Sequence, residues 1–201
     1  MKIELEDVMF WMDAVRNSED RYRTLESFWK GQIRSKIWLT EAVQALNLYG
    51  DKRIVIHGGW NGVLASIMFN SKIGIKHITS LDIDPVCEEI ANTVNKRYEM
   101  EGKFTAVTAD MCNYKYDADI VINTSCEHIT QEQYEQWLDN VPKGATVVLQ
   151  SNDYFNHEEH IRCAIDLDDF TQMSKIKAIW RGTLDTPKYN RFMIIGKKDV
   201  V

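Results

Sequence analysis

The sequence lacks the features that mark membrane-spanning, secreted and disulfide-rich proteins. It has only three prolines and four cysteines in 201 residues, and the cysteines form no CxxC pair and match no zinc-ligand spacing. Its apolar runs are far shorter than the ~20 residues of a membrane helix. Its N-terminus is acidic and has no apolar signal-peptide core. These absences predict a cytoplasmic protein with reduced thiols and no contact with a membrane.

The sequence also lacks an excess of positive charge. Lys and Arg total 24 against 30 Asp and Glu, which gives a formal net charge of −6. Nucleic acids and anionic membranes select basic surfaces, so this balance disfavours a nucleic-acid partner. A chain of 201 residues that is 44% apolar can bury a core without a disulfide or a structural metal.

The first fifty residues have a helical pattern. Apolar side chains recur at the i, i+3, i+4 and i+7 positions of an amphipathic helix, at Val8, Trp11, Met12 and Val15. A second helical stretch is predicted over 24–48, with a break at Gly31. We therefore expect residues 1–49 to form a helical cap and residues 50–201 to form a separate domain.

From Lys52 onward, short β-rich runs alternate with helical stretches. Strands are predicted at 53–57, 77–82, 104–108, 119–123 and 145–149. Two further strands at 175–183 and 189–196 are joined by so short a connection that they must be antiparallel. Asp84-Pro85 is expected to open one helix, and Thr130 with Gln133 to form a capping box on another. The alternation predicts an α/β fold with a doubly wound, mostly parallel sheet.

Suitable polar groups follow four of the predicted strands, where ligands bind in open α/β sheets. The first strand runs into the glycine turn 57–62, which lets backbone approach a ligand closely. Asp82 comes about 20 residues later and can accept hydrogen bonds from both hydroxyls of a ribose. After the third strand, Asp110 and Met111 suit the amine and the face of an adenine ring, and Asn123 ends the fourth strand.

These stretches together resemble the class I S-adenosylmethionine-dependent methyltransferases, over residues 34–198. The resemblance implies a Rossmann-like seven-stranded sheet of order 3-2-1-4-5-7-6, with S-adenosyl-L-methionine as the cofactor. Ile83 and Met111 would then sandwich the adenine, and Asn123 would face the methionine part or the substrate. The cofactor-binding residues implied are Gly58, Gly59, Trp60, Gly62, Asp82, Ile83, Asp110, Met111 and Asn123.

Catalytic residues are expected just after the fourth strand. The Glu127-His128 pair resembles an acid-histidine pair at this place in many members of the family. His128 is the best-placed histidine to take a proton, with Glu127 as its orienting partner, although His128 packing or capping the next segment is the alternative. His157 and His160 are three residues apart, which does not match HExxH, so no metal site is predicted.

The glycine turn departs from the family pattern. His57 ends the first strand near the usual place of an acid, and the turn reads Gly-Gly-Trp-Asn-Gly in place of G-x-G-x-G. This leaves open an enzyme that transfers the aminobutyrate arm of the cofactor, as nicotianamine-synthase-like enzymes do, or a protein that only binds the cofactor. An NAD-type nucleotide-binding module is a third possibility. The acidic charge and the lack of a large insertion favour a small-molecule methyl acceptor, and no pattern indicates an oligomeric state.

Overall fold

A computed structural model describes residues 2–198 and shows helices alternating with strands. The helices are α1 (Leu5–Asn17), α2 (Arg21–Glu26), α3 (Lys30–Ala45), α4 (Val63–Phe69), α5 (Pro85–Val94), α6 (Lys96–Met100), α7 (Gln131–Asn140) and α8 (Leu167–Ser174). The strands are β1 (Lys52–His57), β2 (Ile75–Asp82), β3 (Phe104–Thr108), β4 (Ile120–Asn123), β5 (Thr146–Asn152), β6 (Ile176–Asp185) and β7 (Asn190–Lys198). A single 3₁₀ turn, Cys126–His128, follows β4 in the described part of the chain.

The strands form a seven-stranded sheet in the order β3-β2-β1-β4-β5-β7-β6. The pairs β1–β2, β2–β3 and β4–β5 are parallel, and β7 runs antiparallel to both β5 and β6. Every residue of β4 and β5 is buried, as expected for central strands that are covered on both faces. The predicted fold class is confirmed, including the antiparallel closing hairpin.

Local signals placed most elements well, with two corrections. Gly31 does not break a helix: α3 includes it, and the break lies at residues 27–29, where Trp29 takes an extended ψ of 148°. Gly31 is the second residue of α3, and even in a helix interior a glycine costs only about 1 kcal/mol, so it does not force a break. The stretch after Pro85 is not one helix, because Asn95 separates α5 from α6 and donates its side-chain amide to the carbonyls of Gly62 and Ala91.

The chain forms two compact units, one ending at Asp110 and the other beginning at Met111. In the first unit the N-terminal helices share a core with α4 and α5. Its residues are Ala14, Val63, Ile67, Ile90 and Val94, with Trp11, Phe28, Ile33 and Ile37 packed against them. The division at residue 49 stays a prediction, and its outermost residues, 1 and 199–201, lie outside the described residues.

In the second unit, α7 packs its aromatic face into the core, where Tyr134 and Trp137 are fully buried. The Tyr134 hydroxyl donates to the carbonyl of Ser174 at the end of α8, over 2.6 Å. The predicted capping box of Thr130 and Gln133 is confirmed at the start of α7. Within residues 2–198, none of the helices is both long and apolar enough to cross a membrane.

Candidate functional site

The turn between β1 and α4 has an unusual backbone. Gly58 and Gly62 have φ angles of 63° and 70°, and Trp60 between them has a φ of 49°. This left-handed region suits glycine but costs other residues about 1–2 kcal/mol. Residues held in such conformations cluster at ligand sites, where surrounding contacts maintain them.

Two glycines of the turn are also required by packing. A Cβ on Gly59 would lie 2.0 Å from the Ser80 hydroxyl of β2. A Cβ on Gly62 would lie 2.6 Å from the Asn95 side-chain nitrogen and 2.9 Å from the Ala91 Cβ of α5. The glycines therefore let the turn lie directly against β2 and α5, and this holds whether or not a ligand binds.

Asp82, at the end of β2, holds the strained turn in place. Its Oδ2 accepts the backbone N–H of Trp60 over 2.8 Å, and its Oδ1 accepts the backbone N–H of Asp84 over 3.1 Å. A carboxylate has about four acceptor positions, so both oxygens keep capacity for further donors. The half-buried Asp82 can thus fix the turn and still accept hydroxyl hydrogen bonds.

The predicted division of roles between the two acids is confirmed for Asp84. It caps α5 by accepting the Val86 N–H, and its carboxylate lies 2.6 Å from the Arg23 guanidinium. The Val86 N–H lowers the pKa of Asp84, and so does the Arg23 charge. Asp84 is therefore occupied by local structure, which leaves Asp82 as the ribose candidate.

The end of β3 lies beside the end of β2. The Ala109 N–H donates to the Asp82 carbonyl over 2.9 Å, which brings the exposed Asp110 next to this edge of the first unit. Ile83, directly after Asp82, is 73% exposed although it is a large apolar residue. An exposed isoleucine beside a carboxylate is a suitable surface for the face of an aromatic ring that carries polar groups.

One residue of the turn was missed by sequence reasoning. Asn61 is only 2% exposed, and its Nδ2 has no hydrogen-bond partner among residues 2–198. A buried donor without a partner costs about 1–3 kcal/mol, and folded proteins rarely leave one so. The signal available in the sequence was a polar residue between Trp60 and Gly62, inside an otherwise apolar and glycine-rich turn.

His57, at the end of β1, is fully buried, and its burial lowers the pKa of the imidazole to about 3. The ring is therefore neutral at physiological pH. His57 therefore supplies no negative charge at the position where an acid was expected from the family pattern.

The buried His57 predicts a pH-dependent loss of stability. Its folded-state pKa lies below the ordinary value of 6.5, so the unfolded chain binds more protons between pH 3 and 6.5. Stability rises with pH through this window and is lost as the pH falls. At about 1.4 kcal/mol per pH unit, moving from pH 7.5 to 5 costs about 2 kcal/mol. Urea unfolding at both pH values should show this extra loss in the wild type and not in His57→Gln; parallel pH profiles would contradict it.

In the second unit, Asn123 and Met111 lie together. The Asn123 amide nitrogen contacts the Met111 sulfur over 3.5 Å, and its Oδ1 accepts the Ser125 N–H over 2.9 Å. Asn123 is completely buried and Met111 is half-buried. Both polar atoms of Asn123 thus hold the chain around β4, so a role toward cofactor or substrate stays a prediction.

Glu127 is buried, and one of its carboxylate oxygens accepts two hydrogen bonds. Its Oε1 accepts the Asn152 Nδ2 over 2.7 Å and the Arg191 Nη1 over 2.9 Å, and the same guanidinium donates to the Thr124 carbonyl over 2.8 Å. Asn152 and Arg191 were not assigned these structural roles from the sequence. The buried ion pair fixes the loop that carries His128.

His128 is exposed, and its orienting contact differs from the expected one. Its Nδ1 lies 3.1 Å from the carbonyl oxygen of Glu159, so a backbone carbonyl holds the ring and the Glu127 carboxylate does not. The reason is that Glu127 turns its Oε1 to Asn152 and Arg191. The His128 ring also packs edge-on against His160, with the ring centroids 4.9 Å apart.

No family model and no curated protein matches the sequence. Solved structures do match, at low identity. Magnesium protoporphyrin IX methyltransferase from Synechocystis PCC 6803 with bound SAH is 11% identical, with a TM-score of 0.68 over 97% of this chain and 95% of that chain. MtNAS in complex with MTA and tNA is 16% identical, with a TM-score of 0.63 over 96% of this chain and 70% of that chain. A putative RNA methyltransferase from Pyrococcus horikoshii is 13% identical, with a TM-score of 0.60 over 83% of this chain and 85% of that chain.

Proposed function

We propose that this chain, which has the fold of the class I S-adenosylmethionine-dependent methyltransferases, transfers a methyl group from that cofactor to a small molecule. The proposal is carried by Asp82, a carboxylate at the end of β2 that holds a strained glycine turn through the Trp60 N–H. Solved structures of the same fold contain S-adenosylmethionine, SAH or MTA, which supports a sulfur-linked adenosine as the ligand.

The residues of the turn and the strand ends suit this cofactor chemically. Asp82 accepts from the ribose hydroxyls, and the unpaired Asn61 amide gives a buried donor for an acceptor atom of the cofactor. Ile83 and Met111 pack on the adenine faces, and Asp110 accepts from its amine. The remaining cofactor contacts in the proposal are Gly58, Gly59, Trp60, Gly62 and Asn123. When bound, the cofactor supplies an electrophilic methyl group on a sulfonium.

The chain then contributes mainly alignment and one proton acceptor. In-line displacement at a methyl group gains much of its rate from holding the reactants in line. The His128 Nδ1 faces a carbonyl, which only accepts, so the proton sits on Nδ1 and Nε2 keeps a lone pair for the acceptor's proton. Glu127 acts as a positioning residue, through the loop that it anchors.

Composition supports the acceptor class and the compartment in this proposal. The net charge of −6 supports a small molecule over a nucleic acid, although one structure of similar fold is a putative RNA methyltransferase. All four cysteines are free thiols, three of them buried, which supports a reducing compartment such as the cytoplasm.

Transfer of the aminobutyrate arm is the second candidate. It is favoured by the neutral, buried His57 in the place of an acid and by the structural similarity to MtNAS. The two reactions leave different nucleosides. Methyl transfer releases S-adenosylhomocysteine, and arm transfer releases methylthioadenosine.

Calorimetry and product analysis test the function. We expect S-adenosylmethionine and S-adenosylhomocysteine to bind and NAD not to bind. Incubation with labelled S-adenosylmethionine and a panel of small phenols, carboxylic acids and amines should then release S-adenosylhomocysteine. Absence of binding to both S-adenosylmethionine and S-adenosylhomocysteine would rule out both candidate functions. Binding of NAD would favour a nucleotide-binding module, and release of methylthioadenosine would favour arm transfer.

A further inference from the structure

Three metal-ligating side chains of the second unit converge around the end of the 3₁₀ turn. Glu127, His128 and His160 each place one ligand atom within 4.8 Å of the other two. The first two follow β4, and His160 lies in the loop after β5. The sequence drew attention only to the spacing of His157 and His160, for which no metal site was predicted, because spacing along the chain does not show proximity in space.

The Glu127 carboxylate is only half used. Both of its hydrogen bonds, from Asn152 and Arg191, are accepted by Oε1. Its Oε2 is buried and has no hydrogen-bond partner anywhere in the described chain. Burying a charged oxygen without a partner is costly, so this atom itself indicates a missing ligand.

Both histidines have the backbone contact that metal-binding histidines commonly make. The His128 Nδ1 lies 3.1 Å from the Glu159 carbonyl, and the His160 Nδ1 lies 2.9 Å from the Tyr154 carbonyl. A carbonyl oxygen only accepts, so each Nδ1 carries the proton and each Nε2 offers a lone pair. Metal-binding histidines commonly donate their second ring N–H to a backbone carbonyl in this way, which fixes the tautomer and the ring orientation.

We propose that Glu127 Oε2, His128 Nε2 and His160 Nε2 bind one divalent first-row transition-metal ion, with Zn²⁺ as the best match. Two histidines and one glutamate form a known donor set of catalytic zinc sites, which keep a fourth position for water or substrate. Zinc bonds of about 2.0–2.1 Å place tetrahedral ligand atoms about 3.3 Å apart. The ligand atoms of the three residues lie within 4.8 Å of one another, so the exposed His128 and the half-buried His160 would close toward Glu127 when the ion binds.

The local charge selects among metals. Arg191 already neutralises the Glu127 carboxylate from the Oε1 side, with its Nη1 at 2.9 Å. Mg²⁺ and Ca²⁺ need several oxygen ligands, commonly carboxylates, and this cluster offers one. Zn²⁺, Co²⁺ and Ni²⁺ bind neutral imidazole well, so two histidines suffice to retain them.

The ion would change the role of His128. With Nε2 bound to the metal, His128 is no longer free to take the acceptor's proton. The open coordination position would instead bind an acceptor hydroxyl and lower its pKa, so that the hydroxyl would lose its proton to water before the methyl group is transferred. This role rests on the proposed function, whereas metal binding itself does not.

Binding of Zn²⁺ to the full-length, chelator-stripped protein tests the site. We expect calorimetry to show one Zn²⁺ bound per chain and much weaker binding of Mg²⁺. The visible absorption spectrum of bound Co²⁺ should be that of an ion with few ligands. His128→Ala and His160→Ala should each weaken Zn²⁺ binding by at least about tenfold, because losing even an outer partner costs about 10–100-fold. His77→Ala is the matched control: the His77 Nδ1 also lies 3.1 Å from a carbonyl, that of Gly102, but His77 lies outside the cluster.

Several outcomes would contradict the proposed metal site. Zn²⁺ affinity unchanged in both cluster variants, or Mg²⁺ bound as tightly as Zn²⁺, would contradict it. The Cys163 sulfur lies 3.7 Å from the His160 Nδ1, so Cys163→Ser is a further arm. Binding lost in Cys163→Ser but kept in His128→Ala would show a cysteine-histidine site instead. Thermal unfolding of each variant confirms its fold, and S-adenosylhomocysteine binding without metal tests the proposed function separately.

Discussion

Asp82→Ala is expected to weaken binding of S-adenosylhomocysteine by about 1–3 kcal/mol, or about 5–150-fold. The ribose hydroxyls lose their acceptor, and the Trp60 N–H loses the bond that holds the strained turn at 2.8 Å. Both effects act on the same ligand, so the loss is expected at the upper end of the range. Calorimetric titration of wild type and variant measures it.

Two further variants separate recognition from general damage. Asp82→Asn keeps one acceptor oxygen, so it should fall between the wild type and Asp82→Ala. Asp84→Ala removes the neighbouring acid and the cap of α5, which costs stability of about 1 kcal/mol. Its affinity for S-adenosylhomocysteine should nevertheless stay within about twofold, since Asp84 has no proposed contact with the ligand. Equal affinities in wild type and Asp82→Ala would remove Asp82 from its role.

Gly62→Ala is expected to lower the free energy of unfolding by about 2–5 kcal/mol. A left-handed alanine costs about 1–2 kcal/mol, and forcing an extra methyl group into a packed contact costs about 1–3 kcal/mol more. The contact is tight, because the new Cβ would lie 2.6 Å from the Asn95 nitrogen and 2.9 Å from the Ala91 Cβ. Urea unfolding in the absence of ligand gives the difference.

Gly102→Ala isolates the backbone contribution. Gly102 has the same φ of 70° as Gly62, and a Cβ there would meet nothing within 4 Å. It should therefore cost only the strain of about 1–2 kcal/mol. Equal losses in the two variants would show that the close approach of the turn to α5 contributes nothing to stability.

Local signals were strong enough to place individual elements. The strand at 104–108 has the predicted bounds, and the caps at Asp84 and Thr130 act as expected. These features depend on neighbours within about one helical turn, so the sequence contains them in full. Gly31 failed as a signal because its small local cost is outweighed by the packing of α3.

The sites needed the folded chain to different degrees. Asp82 and the glycine turn could be proposed from the sequence because the alternation of strands and helices implies a parallel sheet. The carboxyl ends of parallel strands lie at one edge of the sheet, where ligands bind. The orphaned Asn61 amide was not, since an unpaired donor is visible only once all its neighbours are placed. The same holds for the carbonyl of Glu159, which orients His128 in place of Glu127.

The periodicity of apolar residues, the turn glycines and the helix caps are enough to specify the α/β class, the order of its elements and the acid after β2. Which polar atoms meet is decided by contacts between distant positions. Glu127 is held by Asn152 and Arg191, 25 and 64 residues along the chain, and it meets His160 through a loop with no periodic pattern. Such contacts arise from packing and buried charge, which act through space, so only the tertiary structure brings this carboxylate and the two histidines together.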